Sequence, residues 1–182
     1  MSTNVTTGVV RFSYAHVFTP TSIDDNSTPK YSVSVLIKKD DTKTLKKIKA
    51  AIEEAKKNER ANKVFGGKTP AKLKEPLRDG DEERPDDPVY KNCYFLNANS
   101  PTKPKIVDKD LNEILDPEDF YSGCYGRASV NFYAFNTAGN RGIACGLNAL
   151  QKIKDGDPLG GTVSVDEAFG GDNEFDDEDD DF

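Results

Sequence analysis

This 182-residue chain predicts a β-rich barrel with one inserted helix and a charged appendage. Three observations predict that class. Short runs of alternating apolar and polar residues recur between polar turns, and a single stretch repeats its apolar residues at helical spacing. The last eleven residues, Asp172 to Phe182, hold eight acids and no base. Like charges this dense repel one another and cannot bury a core, so 166–182 is expected to be a disordered acidic tail. Residues 1–165 are long enough for one domain.

Taken in order, Thr7 to Phe18 reads as a first strand, with Val10, Phe12, Tyr14, His16 and Phe18 on one parity and Val9, Arg11 and Ser13 on the other. On the apolar parity His16 is expected as a packed or rim histidine. Pro20 to Pro29 is a polar loop. Lys30 to Lys39 alternates cleanly: Tyr31, Val33, Val35 and Ile37 point one way, Lys30, Ser32, Ser34, Leu36 and Lys38 the other. Asp40 or Asp41 then caps a helix running to about Asn58, whose apolar stripe is Leu45, Ile48, Ala51, Ile52 and Ala55. The lysines and glutamates around that stripe form a solvated face.

Lys63 to Pro88 has little periodicity, opens basic and closes acidic, and reads as a long flap. Gly67-Lys68-Thr69 is not a phosphate loop, because Asn62 stands where that motif needs a glycine and no apolar strand precedes it. The acidic run Asp79–Asp87 lacks the ordered ligands and distal glutamate of a calcium loop. Val89 to Ala98 is a third strand and Lys105 to Val107 a short fourth, followed by a turn at Asp108–Asn112 with Ile114 and Leu115 continuing. Asp116 to Phe120 suits a helical turn with Pro117 at its first position. Cys124 to Phe135 is the strongest strand, and Thr137–Asn140 turns it into a hairpin with Arg141 to Leu150. Pro158 to Val165 offers one more short strand, for five to seven in all with one helix.

Composition narrows the function. Removing the ten acids of 166–182 leaves 22 acids against 25 bases, a body of about +3 carrying an acidic arm on a chain of net charge −7. No run of 18 apolar residues could span a membrane, and the N-terminus lacks the regions of a secretory signal, so a cytoplasmic location is expected. Cys93, Cys124 and Cys145 are scattered and odd in number, which predicts buried thiols in a reducing compartment. With His16 as the sole histidine, no structural zinc, other metal or cofactor is expected.

Candidate chemistry sits on the strongest strand. Cys124, Gly126, Ala128, Val130, Phe132 and Ala134 make an apolar interior face. Tyr125, Arg127, Ser129, Asn131, Tyr133 and Phe135 make the other, where a solvated strand would carry lysine, glutamate and threonine. Rings for stacking exposed bases, at roughly 1–3 kcal/mol each, beside arginine and small polar groups for phosphates and sugars, are what a single strand of nucleic acid needs. Lys30 and Lys38 on the second strand, Arg11 on the first and Arg141 in the hairpin extend this into an expected basic groove. No pattern supports base-edge readout, so binding should be indifferent to sequence. The tail can mimic a phosphate backbone and compete for that groove. Phe182, with its own carboxylate, suits a basic-rimmed apolar pocket on a partner.

The Tyr125-Gly126-Arg127 strand, the Gly-Asn-Arg-Gly-Ile turn at Gly139–Ile143, the β-rich body and the Asp-rich tail ending in Phe together resemble the single-stranded DNA-binding proteins of tailed bacteriophages. The resemblance covers most of residues 5–182. It implies an OB-fold, a five-stranded Greek-key barrel, with one inserted amphipathic helix and a flap longer than a minimal OB-fold carries. It implies a stacking and phosphate role for Tyr125, Arg127 and Tyr133, and a tail role for Asp176, Asp177, Glu178, Asp179, Asp180, Asp181 and Phe182. The expected protein is no enzyme. It protects single-stranded DNA in the host bacterial cytoplasm, as a monomer or homodimer, and recruits replication or recombination partners (a polymerase, helicase or nuclease) through its tail. Two other readings stay open. A metal-dependent nuclease or resolvase would use Asp79, Asp81, Glu82 and Asp108, though two-metal chemistry needs carboxylates on rigid elements around ions ~4 Å apart and these lie in apparent loops. An acidic adaptor for basic proteins would leave the aromatic-arginine strand without a task.

Overall fold

The computed structural model describes residues 2–22, 28–137 and 139–159. Its strands are β1 (Asn4–Thr6), β2 (Val10–Thr21), β3 (Lys30–Lys38), β4 (Leu77–Asp79), β5 (Cys93–Ser100), β6 (Lys105–Val107), β7 (Tyr125–Thr137) and β8 (Asn140–Lys154). Helices α1 (Thr42–Lys57), α2 (Glu59–Phe65) and the single turn α3 (Gly80–Glu83) lie between β3 and β5, with a 3-10 turn at Pro88–Tyr90.

Five of these strands close on themselves. β2 pairs antiparallel with β3, β3 with β5, and β7 with both β8 and β2. The circuit is completed by a parallel contact of β5 with β8 at Asn99 and Gly146. This is an OB-like five-stranded Greek-key barrel, in which full closure removes the exposed edges of an open sheet. β1 extends the barrel along β7, β4 along β5 and β6 along β8.

Alternation builds the core as expected on β3 and β7. Val33, Val35 and Ile37 are buried from one, Ala128, Val130, Phe132 and Ala134 from the other. Gly126 is required where β7 crosses β8, because a Cβ there would overlap the Gln151 carbonyl oxygen. The helical stripe Leu45, Ile48, Ala51, Ile52 and Ala55 is buried in full, and Ala61 and Phe65 of α2 join it over the same core. Asp41 is the cap, its carboxylate accepting from the Thr44 amide at 3.2 Å. Asn58 ends α1 and starts α2, its side chain accepting from the Ala61 amide at 2.9 Å.

Several sequence expectations are corrected. On β2 the inward parity holds for Val10 and Phe12 and then breaks. A register shift between Ser13 and His16 turns Tyr14 and His16 outward and puts Val17 in the core. A bulge adds one residue and inverts every later side chain, which alternation alone does not reveal. β1 was not expected. The flap is more structured than its breakers imply: α2, β4 and α3 lie in or across Lys63–Pro88, and helix count rises accordingly. Val89 and Tyr90 belong to the 3-10 turn, so the third long strand begins at Cys93. Past Val107 only a single bridge to Glu113 forms; Ile114 is buried while Leu115 stands 75% exposed. Pro158 and Leu159 are not in a strand, and the remainder of that expected strand, like the acidic tail 166–182, lies outside the described residues.

Candidate nucleic-acid interface

Strand register lines up six residues across the outside of the barrel. Lys154 of β8 pairs with Tyr125 of β7, Tyr125 with Arg11 of β2, Arg11 with Leu36 of β3, Leu36 with Phe95 of β5, and Phe95 with Arg78 of β4. Cations flank Tyr125 on both sides and bracket the Leu36–Phe95 pair along this row. At roughly 4.8 Å per strand it spans on the order of 24 Å.

The end of the row at β8, β7 and β2 opens into a groove of about 700 Å³. Five basic side chains line it (Arg11, Lys38, Lys39, Lys91, Lys154) against two acids, Asp40 and Asp41. Tyr125 carries two cations, with the Arg11 guanidinium carbon 5.3 Å and Lys154 Nζ 4.8 Å from its ring centroid. Arg11 is itself fixed. Its Nε donates to the Gly123 carbonyl at 3.1 Å and its Nη2 to the Asp157 carbonyl at 2.8 Å. Lys39 is committed elsewhere, 2.8 Å from both Asp79 and Asp81. Among the described residues Lys38, Lys91 and Lys154 have no ion-pair partner, which leaves their charges facing solvent in the groove.

At β3 and β5 the row runs beneath the flap. Leu36 and Phe95 are buried against Tyr90, whose ring meets Phe95 edge-on at 5.0 Å and whose hydroxyl donates to Ser34 at 3.1 Å. Arg84 spreads over three rings: Tyr90 at 5.0 Å, Tyr14 at 5.3 Å and Phe95 at 6.0 Å. The polar parity expected of β3 is therefore correct in direction, but Ser34 and Leu36 are covered by the flap rather than by solvent.

Of the eight residues expected to form a groove, the structure gathers Arg11, Lys38 and Tyr125. Arg127, exposed on the same strand face, donates from Nε to the Thr7 carbonyl at 2.9 Å and lines a separate shallow recess with Lys47 of α1. Asn131 accepts from the Thr3 hydroxyl at 2.8 Å. Tyr133 lies under Arg60 of α2, 4.9 Å from centroid to guanidinium. Eight residues separate it from Tyr125, about 26 Å of strand. Lys30 is at the far end of β3 from Lys38, by the same reach, and Arg141 sits at the β7–β8 hairpin opposite Asn136. Sequence reasoning missed Lys154, Lys39, Arg78, Arg84 and Tyr14. Lys154 was within reach, since alternation continues through Lys152 and Lys154 beyond Leu150; Arg84 carried no local signal, because only the docking of the flap brings it to the row.

Three of the four carboxylates of the nuclease reading are otherwise engaged. Asp79 and Asp81 hold Lys39, which keeps both below the usual carboxylate range through its hydrogen bonds. Asp108 accepts the Asp110 and Asn112 amides of its own turn at 2.8 and 3.0 Å. Among the described residues no helix is long and apolar enough to cross a membrane.

A closed OB-like barrel whose outer face carries a cationic groove with a tyrosine ring in its wall has the form of a single-strand-binding protein. Over residues 3–182 the chain matches, and belongs to, the family described as the ssDNA-binding protein of Enterobacter phage Enc34, a family of binding proteins and not of enzymes. It is 30% identical over 165 residues to protein p50 of Acyrthosiphon pisum secondary endosymbiont phage 1, covering 87% of this chain and 88% of that one. The single-stranded DNA-binding protein of bacteriophage Enc34, solved in complex with ssDNA, has a similar structure, with a TM-score of 0.76 at 27% identity over 87% of this chain and 90% of that chain. The fold is also that of gp2.5, a single-stranded DNA-binding protein of bacteriophage T7 (TM-score 0.59, 14% identity, 88% of this chain and 97% of that chain).

Proposed function

We propose that this chain binds single-stranded DNA without regard to sequence, protects it, and does so across the Lys154–Tyr125–Arg11 end of the row. The observation that carries the reading is the register itself, which sets cations and a ring side by side at strand spacing. Rings accept any base by stacking, and lysines meet phosphates as point charges, so neither selects a sequence. Among the eight residues first expected, Arg11, Lys38 and Tyr125 act in this groove. Arg127, Asn131, Tyr133, Lys30 and Arg141 lie on other parts of the surface and serve a strand that continues around the barrel.

The acidic tail competes with DNA for the groove and, when displaced, recruits replication or recombination proteins in the host bacterial cytoplasm through Asp176–Asp181 and Phe182. What supports this is charge and position. The segment leading to the tail is fastened at the groove's rim, where the Asp157 carbonyl accepts from Arg11 and the Leu159 amide donates to the Ser122 carbonyl at 2.8 Å. A polyanion tethered a few residues beyond Leu159 is at high effective concentration over the lysines. The test is the affinity for oligo-dT of the full chain and of a chain ending at Val165, at about 50 and 200 mM salt. Truncation should strengthen binding, most at low salt. Equal affinities would remove the competition, and salt-independent binding would remove the groove.

A further inference from the structure

Tyr14 is a tyrosine in a backbone conformation that tyrosine rarely takes. Its φ is 48°, in the left-handed region where a Cβ crowds the following carbonyl. It is the residue at which β2 loses register, yet the strain is held from both sides. Ser13 is paired with Ser34, and the Ala15 amide donates to the Ser122 hydroxyl at 2.9 Å. Glycine or asparagine would take this φ at little cost. The strain does not serve core packing either, because the residue remains 50% exposed while Val17 fills the interior instead. A strained backbone that pushes a large ring into solvent needs a reason in what that ring meets.

The ring is also oriented. The Arg84 guanidinium lies 5.3 Å from its centroid, and Arg84 Nη1 donates to its hydroxyl at 3.2 Å. Since Arg84 also stands over Phe95, a member of the row, Tyr14 borders the row where the flap covers it. We infer that Tyr14 is a second stacking platform, taking one unpaired nucleobase of a single strand whose path leaves the Tyr125 groove and passes the flap along β2, with Arg84 beside it to meet a phosphate. This rests on the function proposed above and adds to it a site and a direction for the strand.

The chain contains no tryptophan, so Tyr14→Trp introduces a sole indole at the site, and Tyr125→Trp does the same in the groove. Titrated with oligo-dT, both indoles should be quenched by stacked bases. Tyr14→Leu should lose roughly 5- to 150-fold in affinity, the range for one base–ring stack, with the salt dependence of binding unchanged because no charge is removed. Tyr14→Gly separates ring from strain: it should melt no lower than the parent and still bind as weakly as Tyr14→Leu. Quenching at Tyr125→Trp without quenching at Tyr14→Trp, or parental affinity in Tyr14→Leu, would overturn the inference and leave the groove standing. Binding with quenching at neither position would overturn both.

Discussion

Arg11 and Tyr125 are register partners across β2 and β7, and the Arg11 guanidinium carbon lies 5.3 Å from the Tyr125 ring centroid. Each fixes the other. Arg11 is tied by two backbone carbonyls, and the ring packs so closely on Gly156 that a Cβ there would come within 2.6 Å of it. A ring held this way gives up little freedom when a base stacks on it, which is the cost that usually weakens such contacts.

Tyr125→Leu is therefore expected to weaken oligo-dT binding by roughly 5- to 150-fold, or about 1–3 kcal/mol. Tyr125→Phe should bind like the parent, since stacking uses the ring and not the hydroxyl. Fluorescence anisotropy of labelled oligo-dT checks both. Parental affinity in the leucine variant would show that the ring is packing for Gly156 and nothing more.

Charge in the groove predicts a separate effect. Lys38 and Lys91 line it with no ion-pair partner among the described residues, whereas Lys39 is neutralised by Asp79 and Asp81. Each lysine that releases a counterion on binding contributes about 0.7 to the slope of log affinity against log salt for a single strand. Lys38→Gln and Lys91→Gln should each flatten that slope by about this amount, and the double variant by about twice as much. Lys63→Gln, on the exposed surface of α2, should leave it unchanged.

The native thiols report on the same groove without mutation. Cys124 and Cys145 are buried, 0% and 2% exposed, while Cys93 is half-buried and lines the groove. Burial raises the Cys93 thiol above its ordinary pKa, so its modification should be slow near neutral pH and quicken as pH rises. A thiol reagent should label one cysteine in the folded protein, and saturating oligo-dT should slow that labelling several-fold. An unchanged rate would place the strand away from Cys93.

What the sequence made legible follows from what acts locally. β3, α1 and β7 were readable because each buries one face along its whole length, so alternation or helical spacing persists: Val33, Val35 and Ile37; Leu45, Ile48 and Ile52; Val130 and Phe132. The lysine-rich face of α1 and the ring-and-arginine face of β7 were recognisable for the same reason. β2 was readable only to Phe12, because the bulge at Tyr14 costs one residue of register and is set by contacts to β3 and Ser122 rather than by composition. The site was legible in type more than in place. Tyr125 could be singled out for its company on one strand, but that Arg11 and Lys154 flank it depends on which strands neighbour β7, and Arg127 shares its parity while facing α1. The flap was least legible, since Tyr90 and Arg84 acquire meaning only when the flap folds back over Phe95 and over Leu36, which lies on β3 with α1 and α2 in between.

One clasp holds the later part of that flap, and its pH dependence is predictable. Lys39 Nζ is 2.8 Å from carboxylate oxygens of both Asp79, the last residue of β4, and Asp81 in α3. Hydrogen bonding from Lys39 lowers the pKa of both acids, and hydrogen bonding to them raises that of the lysine. A carboxylate lowered on folding stabilises fully above its unfolded value, about 3.9, and the contribution disappears as pH falls through the lower folded value. A raised lysine contributes fully below its unfolded value of about 10.4 and loses that contribution only as pH rises through its higher folded value. Between about pH 5 and 9 the clasp is thus complete. Lys39→Met should lower the melting temperature by a constant amount across that range, and the difference should close as pH falls below about 4. Because all three groups are only half-buried and still meet water, added salt should shrink the difference at pH 7 as well. A gap that persists at low pH and high salt would mean that the lysine holds the flap by its stem against Tyr94, over whose ring its ammonium lies at 5.2 Å, and not by charge.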